Sequence, residues 1–148
     1  MKVVLVNKFY YRRGGDCIYT LNLEDALKKH GCQTAVFAMQ HPDNQPTEWS
    51  RYFPSEVGFT GGGNKLKAAR RILGDSEVKA KFSRLLDDFQ PDAVHLNNIH
   101  SQLSPIVAEI AHNKGIKVVW TLHDYKLLCP RYDCMRNGKE CSLCYSSK

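Results

Sequence analysis

Three short apolar runs, each ending in a polar cluster, most constrain the fold this chain can adopt. Lys2–Val6 leads into Asn7-Lys8-Phe9-Tyr10-Tyr11-Arg12-Arg13-Gly14-Gly15-Asp16. Ala93–Leu96 leads into Asn97-Asn98-Ile99-His100, and Val118–Leu122 leads into His123-Asp124-Tyr125-Lys126. The first run is β-rich, fully apolar and followed by glycines, the pattern of a central parallel strand. In an open α/β sheet the carboxyl ends of parallel strands share one edge, and ligands bind in the crevice outside it. Segments far apart in the chain are therefore expected to meet there.

The intervening segments carry helical periodicity. Asp16 is read as the N-cap of a helix running to about Lys29 and ended by Gly31, with Leu21, Leu23, Ala26 and Leu27 inward and Glu24, Asp25, Lys28 and Lys29 facing water. Thr34–Met39 is the second strand, which completes a right-handed crossover unit. Residues 41–64, with Pro42, Pro46, Pro54 and Gly61-Gly62-Gly63, read as an irregular excursion holding short strands near Tyr52–Phe53 and Val57–Phe59. Helices are expected over Lys65–Leu73 and, capped by Ser76, over Glu77–Phe89. Another starts at Ser104-Pro105, buries Ile106, Val107, Ile110 and Ala111, and is closed by Gly115; Lys117–Leu122 is the last strand. The expected fold is α/β, a Rossmann-like doubly wound parallel sheet over residues 1–128, followed by a cysteine-rich hairpin over 129–148. The chain stops without a final helix over the sheet edge, so it reads as one lobe of a larger protein.

A chain of 148 residues fits one domain that buries about 68–70% of its unfolded surface. The net charge of +6 favours an anionic partner such as a nucleotide, phosphate ester or acidic lipid surface. Nucleic acid is not expected, because no helix-turn-helix, RNA-recognition or zinc-finger spacing is present. No apolar run approaches the length of a membrane span, and Val3–Val6 is too short for a signal-peptide core, which points to the cytoplasm.

Four constellations could carry chemistry. Gly14-Gly15 lets backbone N–H groups approach a phosphate at a helix N-terminus, with Lys8, Arg12 and Arg13 adding positive charge; a plain tight turn is the alternative. It lacks the G-x-G-x-x-G dinucleotide pattern and the Lys-Ser/Thr of a P-loop. His95 reads either as a packed strand histidine or as a ligand group, while Asn97 and Asn98 suit hydroxyl recognition. His123 and Asp124 leave the sheet at the expected crevice, where a histidine can donate to a sugar or phosphate oxygen or serve as acid or base.

The fourth is Cys129, Cys134, Cys141 and Cys144, spaced Cys-x4-Cys-x6-Cys-x2-Cys. Asn137-Gly138 signals a two-residue hairpin that pairs Arg136 with Lys139, Met135 with Glu140 and Cys134 with Cys141. A structural zinc site would stabilise such a core-poor segment; free thiols or a Cys134–Cys141 disulfide are the alternatives. Cys17 and Cys32 read as buried fillers.

The segments VVLVNKFYYRRGGDCIYTLNLEDALKKHG and PDAVHLNNIHSQLSPIVAEIAHNKGIKVVWTLHDYKLLCP, with the trailing cysteine loop, resemble the N-terminal domain of a family-four retaining glycosyltransferase of the GT-B fold, of the bacterial polysaccharide-synthesis type. Residues 41–90 match only loosely. The resemblance implies transfer from a nucleotide-sugar donor to a glycan or lipid-linked acceptor, with retention and no essential catalytic metal. It implies that Gly14 and Gly15, with Arg13, face the donor diphosphate, that His123 and Asp124 are catalytic, and that His95, Asn97 and Asn98 line the same cleft. It also implies a C-terminal nucleotide-binding lobe, absent from these 148 residues, without which the chain is expected to be inactive. Arg12 stands where proline is frequent in the family, and Asn97 where a second histidine is common. The basic Lys65–Arg84 stretch suits peripheral contact with the inner face of the membrane, or simply a solvated helix face. Two rival readings are a metal-dependent hydrolase using His95, His100, His123 and Asp124, and a non-enzymatic binding module with a zinc-ribbon tail.

Overall fold

The computed structural model describes residues 1–57, 75–100 and 102–144. Four parallel strands form one sheet: β1 (Lys2–Val6), β2 (Gln33–Phe37), β3 (Ala93–Leu96) and β4 (Lys117–Trp120), in the order β2-β1-β3-β4. The chain order reverses between β1 and β3, which makes this the doubly wound arrangement and puts its switch point at the exits of those two strands. The helices are α1 (Gly15–Lys29), α2 (Ser76–Phe89) and α3 (Ile106–Asn113). No helix of the described residues is long and apolar enough to cross a membrane.

The two sheet faces are covered unequally. Val4, Val6, Phe37, Val94 and Leu96 pack on one side with Phe82, Leu85, Val107 and Ala111 of α2 and α3, all fully buried. Each such aliphatic or aromatic side chain contributes about 1.5–3 kcal/mol relative to exposure. On the other face the register aligns Val36, Leu5, His95 and Val119 across the four strands. Here Leu21 of α1 packs with Tyr10, Phe53 and Trp49 against Val36 and Ala38, and burial fades along the row toward β4. Val36 and Leu5 are fully buried, His95 is half-buried, and Val119 is 45% exposed. The edge strand β4 ends at Trp120 rather than at the expected Leu122.

Local chemistry moved several boundaries. Helix α1 begins at Gly15 with Gly14 at the cap position, and Asp16 lies within the first turn, where it pairs with Lys8. Glu24, expected in water, is buried at 5% exposure. It accepts from the Tyr10 hydroxyl at 2.7 Å and the Thr34 hydroxyl at 3.2 Å and pairs with Lys28 at 2.6 Å. Ala26 is exposed in its place. Burial first, and then the Glu24 carboxylate, push the Tyr10 phenol upward. Asp75 rather than Ser76 caps α2, accepting from Glu77 N–H at 2.7 Å. In α3 only Val107 and Ala111 are fully buried; Ile106 and Ile110 pack against the core from its margin. Cys17 is buried as expected, whereas Cys32 is only half-buried. A 3-10 turn at Glu48–Tyr52 occupies the place where a short strand was expected near Tyr52. The expected helix Lys65–Leu73 and the end of the expected strand at Phe59 lie outside the described residues.

The segment before residue 58 is tied to α2 by the Tyr52 hydroxyl, which donates to the Asp88 carboxylate, by Lys81 Nζ, which donates to Phe53 O at 2.7 Å, and by Glu77. Glu77 accepts from Ser55 N–H at 2.9 Å and Ser55 hydroxyl at 2.7 Å, and pairs with Lys81 at 3.1 Å. Burial alone would raise this carboxyl, but the Ser55 hydrogen bonds and then Lys81 bring it down to about 2. A carboxyl depressed in the folded state contributes stability that is complete above its unfolded value and is lost as pH falls toward the folded one. With 31% of the side chain exposed, solvent screening leaves about 1–2 kcal/mol. Urea unfolding of the wild type should lose that amount as pH falls from about 5 to about 2, and Glu77→Gln should remove this part of the slope. An unchanged slope in the variant would show that the carboxylate contributes nothing.

Candidate functional site

The carboxyl ends of β1, β3 and β4 are stitched into one rim. Lys8 N–H donates to Asn98 O at 3.0 Å, Asn97 N–H to Val6 O at 2.9 Å, and Thr121 N–H to Leu96 O at 2.9 Å. Asn7 ties the pieces together from within. Fully buried, it donates through Nδ2 to Phe9 O at 3.0 Å, contacts Cys17 Sγ at 3.5 Å, and accepts Asn98 N–H on Oδ1 at 3.2 Å. The strand-exit loops and the base of α1 thus share a single buried amide.

Outside this rim lies a crevice of about 600 Å³ lined by Gly15, Asn98, His123 and Asp124. Lys8, Asp16, Gln102, Lys126 and Tyr132 complete its walls. Gly15 is the first residue of α1, and a Cβ built on it would meet nothing within 4 Å, so the space before the helix N-terminus is open. Free N–H groups and the helix dipole favour an anion at such a place. Part of that preference is met internally, because Asp16 lies in the first turn and pairs with Lys8 at 3.3 Å. Burial opposes its ionisation, yet the Lys8 ammonium and the Cys17 N–H hold its carboxyl below the usual carboxylate range.

His123 is held from behind. Its Nε2 lies 3.0 Å from Oδ1 of Asn97, and the Tyr19 ring meets it edge-on at 5.0 Å. Asn97 is 1% exposed, its backbone carbonyl accepts the Trp120 indole N–H at 3.0 Å, and its Nδ2 has no partner among the described residues. An amide in that position receives the ring's Nε2–H in either charge state and leaves Nδ1 for a ligand or water. Asp124 Oδ1 accepts Lys126 N–H at 3.0 Å, which fixes the loop that carries the acid.

The other sequence candidates are distributed differently. Asn98 reaches the crevice, while Asn97 lies behind it. His95 points onto the α1 face, where its Nε2 lies 2.7 Å from the Thr121 hydroxyl; burial and then the nearby His123 draw its pKa down. Gly14 is extended and half-buried beside the crevice rather than in its lining. Arg13 is exposed over the Phe9 ring at 4.5 Å and does not line the crevice. His100 leans on Trp120 at 5.3 Å, and burial lowers its pKa.

Tyr19, Gln102 and Tyr132 were not singled out from the sequence. Tyr19 could have been, since it lies one helical turn beyond Gly15 and so shares its side of α1. A second concavity of about 560 Å³ lies beyond β2, lined by Gln40, Asn44, Gln45, Arg51 and Glu56 among others, and shares no lining residue with the crevice. At its edge the Tyr11 and His41 rings stack at 4.7 Å.

The hairpin β5 (Met135–Arg136) and β6 (Lys139–Glu140) has the expected register, and Cys141 N–H donates to Cys134 O at 2.7 Å. Cys129 is buried and Cys144 exposed, and none of the four tail cysteines is in a disulfide. Burial would raise the Cys129 thiol, but the N–H groups of Arg131, Cys134 and Tyr132, together with the Cys134 thiol, bring it below the ordinary range. Among the described residues, no three His, Cys, Asp or Glu side chains converge as a ready metal-ligand set, neither these cysteines nor the histidines and Asp124 around the crevice.

Comparison with known proteins gives this geometry its context. Over 157 residues, covering 97% of the chain, it is 27% identical to an uncharacterized 42.6 kDa protein in the cps region of Klebsiella pneumoniae. The chain spans 42% of that relative's length. Residues 13–136, from the glycine turn through the crevice loops to the hairpin, match Glycosyltransferase Family 4. A Rossmann-like parallel sheet with its crevice at the β1/β3 switch point, in a chain so matched along most of its length, belongs to Glycosyltransferase Family 4.

Proposed function

We propose that this chain is the acceptor-side lobe of a glycosyltransferase of bacterial surface-polysaccharide synthesis, moving a sugar from a nucleotide-sugar donor to a glycan or lipid-linked acceptor with retention. The observation that carries the reading is the meeting of Gly15, Asn98, His123 and Asp124 around one crevice. Family membership supports glycosyl transfer in general, and the cps-region relative supports the polysaccharide setting.

In this reading the donor's anomeric C–O bond breaks, the diphosphate leaves with its electron pair, and the acceptor hydroxyl oxygen bonds the anomeric carbon on the same face while its proton passes to the departing diphosphate. The open N-terminus of α1 receives part of the developing charge, and Gly15 lets the phosphate oxygens come close. As the imidazolium, with Nε2–H on Asn97 Oδ1, His123 donates a hydrogen bond from Nδ1–H to the donor sugar or the departing oxygen. Asp124 and Asn98 orient hydroxyl groups. The amide-lined concavity beyond β2 offers donors and acceptors to a hydroxyl-rich acceptor. No metal has a role in this chemistry, and the nucleotide is held by a second lobe.

Two measurements test the proposal. Calorimetry of this chain with nucleotide-sugars should show weak binding at best, and robust turnover by the chain alone would refute the two-lobe division. Gly15→Ala should leave the melting temperature unchanged or slightly raised, because the methyl group meets no protein atom and alanine favours the helix. Joined to a nucleotide-binding lobe, the same variant should lose about tenfold or more in donor affinity, roughly 1.4 kcal/mol. Unchanged affinity would remove the diphosphate from this turn.

A further inference from the structure

Beyond β2, residues 38–57 form a loop clamped at several points to the sheet exits. Lys8 O accepts Met39 N–H at 3.1 Å, Tyr10 O accepts Gln45 N–H at 2.8 Å, and Pro54 O accepts Gln40 N–H at 2.8 Å. Asn44 belongs to this framework: its Oδ1 accepts Tyr10 N–H at 2.9 Å, and its Nδ2 donates to Met39 O at 2.8 Å. The loop encloses the concavity of about 560 Å³, with Phe53, 1% exposed, in its lining. The polar side chains of that lining are used differently from Asn44. Gln40, Gln45, Ser50 and Glu56 are exposed, and their side chains make no hydrogen bond or ion pair among the described residues. The Arg51 guanidinium sits over the Tyr52 ring at 4.8 Å, with no carboxylate partner among the described residues. At the margin His41 stacks on Tyr11 at 4.7 Å and meets Phe9 edge-on at 5.3 Å.

We propose that this concavity is a second saccharide subsite, which holds a ring of the glycan acceptor away from the reacting hydroxyl. The inference rests on the acceptor-side reading above and adds that the acceptor is a chain rather than a single sugar. Aromatic rings beside unpaired amide, hydroxyl, guanidinium and carboxylate groups match the two sides of a sugar. Its C–H faces pack on the rings, and its hydroxyls both donate and accept. A phosphate ester would meet the like charge of Glu56, and an acyl chain would bury the amides without pairing them.

The wall between the two hollows is the loop from β1 to α1. Lys8 lines the crevice, and Tyr10, two residues on, is hydrogen-bonded to Asn44 of the concavity. Two residues of chain span at most about 7 Å, so one glycan can reach both hollows across this wall. The hollows share no lining residue, so the subsite can be altered without touching the crevice. Binding at a distance from the reacting atoms is the same in ground and transition states, and therefore lowers KM without raising kcat.

The probe is surface polysaccharide from cells that make this protein, partially hydrolysed and separated into monosaccharide, disaccharide and tetrasaccharide pools. Titrated into the chain and followed by amide chemical shifts, the tetrasaccharide pool should move resonances of residues 40–56. It should bind about tenfold or more tightly than the monosaccharide pool. Arg51→Ala should weaken the tetrasaccharide by about tenfold and Gln45→Ala by about threefold, neither changing the monosaccharide. Both side chains are exposed, so melting temperatures should stay within about 2 °C of wild type. In the enzyme joined to its nucleotide-binding lobe, Arg51→Ala should raise KM for the tetrasaccharide about tenfold at unchanged kcat. No shift with any pool, shifts confined to the crevice, or tetrasaccharide binding indifferent to both substitutions would each overturn the subsite. Those outcomes leave glycosyl transfer standing as long as the joined enzyme turns over. A joined enzyme without turnover would instead sink the transfer reading, while the titration still decides the subsite.

Discussion

His123→Ala is expected to lower kcat/KM for sugar transfer by about 10²–10⁴-fold when the chain is joined to its nucleotide-binding lobe, the range for losing a positioned proton donor. The fold should tolerate the change. His123 is half-buried, and its removal costs one hydrogen bond to Asn97, about 1 kcal/mol, or a few degrees in melting temperature. Asn97→Ala provides the companion measurement. Asn97 is buried behind the crevice and outside its lining, so its loss should lower kcat while KM moves little. A His123→Ala enzyme within about threefold of wild type would exclude the imidazole from the transfer step.

Asn7→Ala is expected to destabilise the lobe by about 2–4 kcal/mol, a fall of roughly 5–12 °C in melting temperature. The substitution leaves the buried Phe9 carbonyl without its donor and the half-buried Asn98 N–H without its acceptor. Asn7→Asp separates the two contributions. It keeps an acceptor for Asn98 but loses the donor and buries a charge, so its deficit should shrink as pH falls and the new carboxyl takes up a proton. A loss below about 0.5 kcal/mol in Asn7→Ala would mean that the strand exits are held by their backbone hydrogen bonds alone.

Lys126 and Tyr132 lie on the loop that joins β4 to the cysteine hairpin, and both wall the crevice beside His123.

Parallel strands and their carboxyl-end crevice were legible in the residues because they depend on local pattern. Lys2–Val6 is apolar at each position after the lysine, Asn137-Gly138 admits a tight hairpin, and Gly31 and Gly115, at φ of 74° and 72°, end the helices where only a residue without Cβ does so at no cost. What pattern could not supply was the partner of each polar group. Glu24 reads as a water-facing helix residue until Tyr10 and Thr34 are brought over it. Asn97 reads as a hydroxyl ligand until the rim turns it back against His123. The difference is physical: periodicity follows from interactions a few residues apart, whereas the burial of a charged or amide side chain is set by hydrogen bonds to residues that only the packed sheet makes its neighbours.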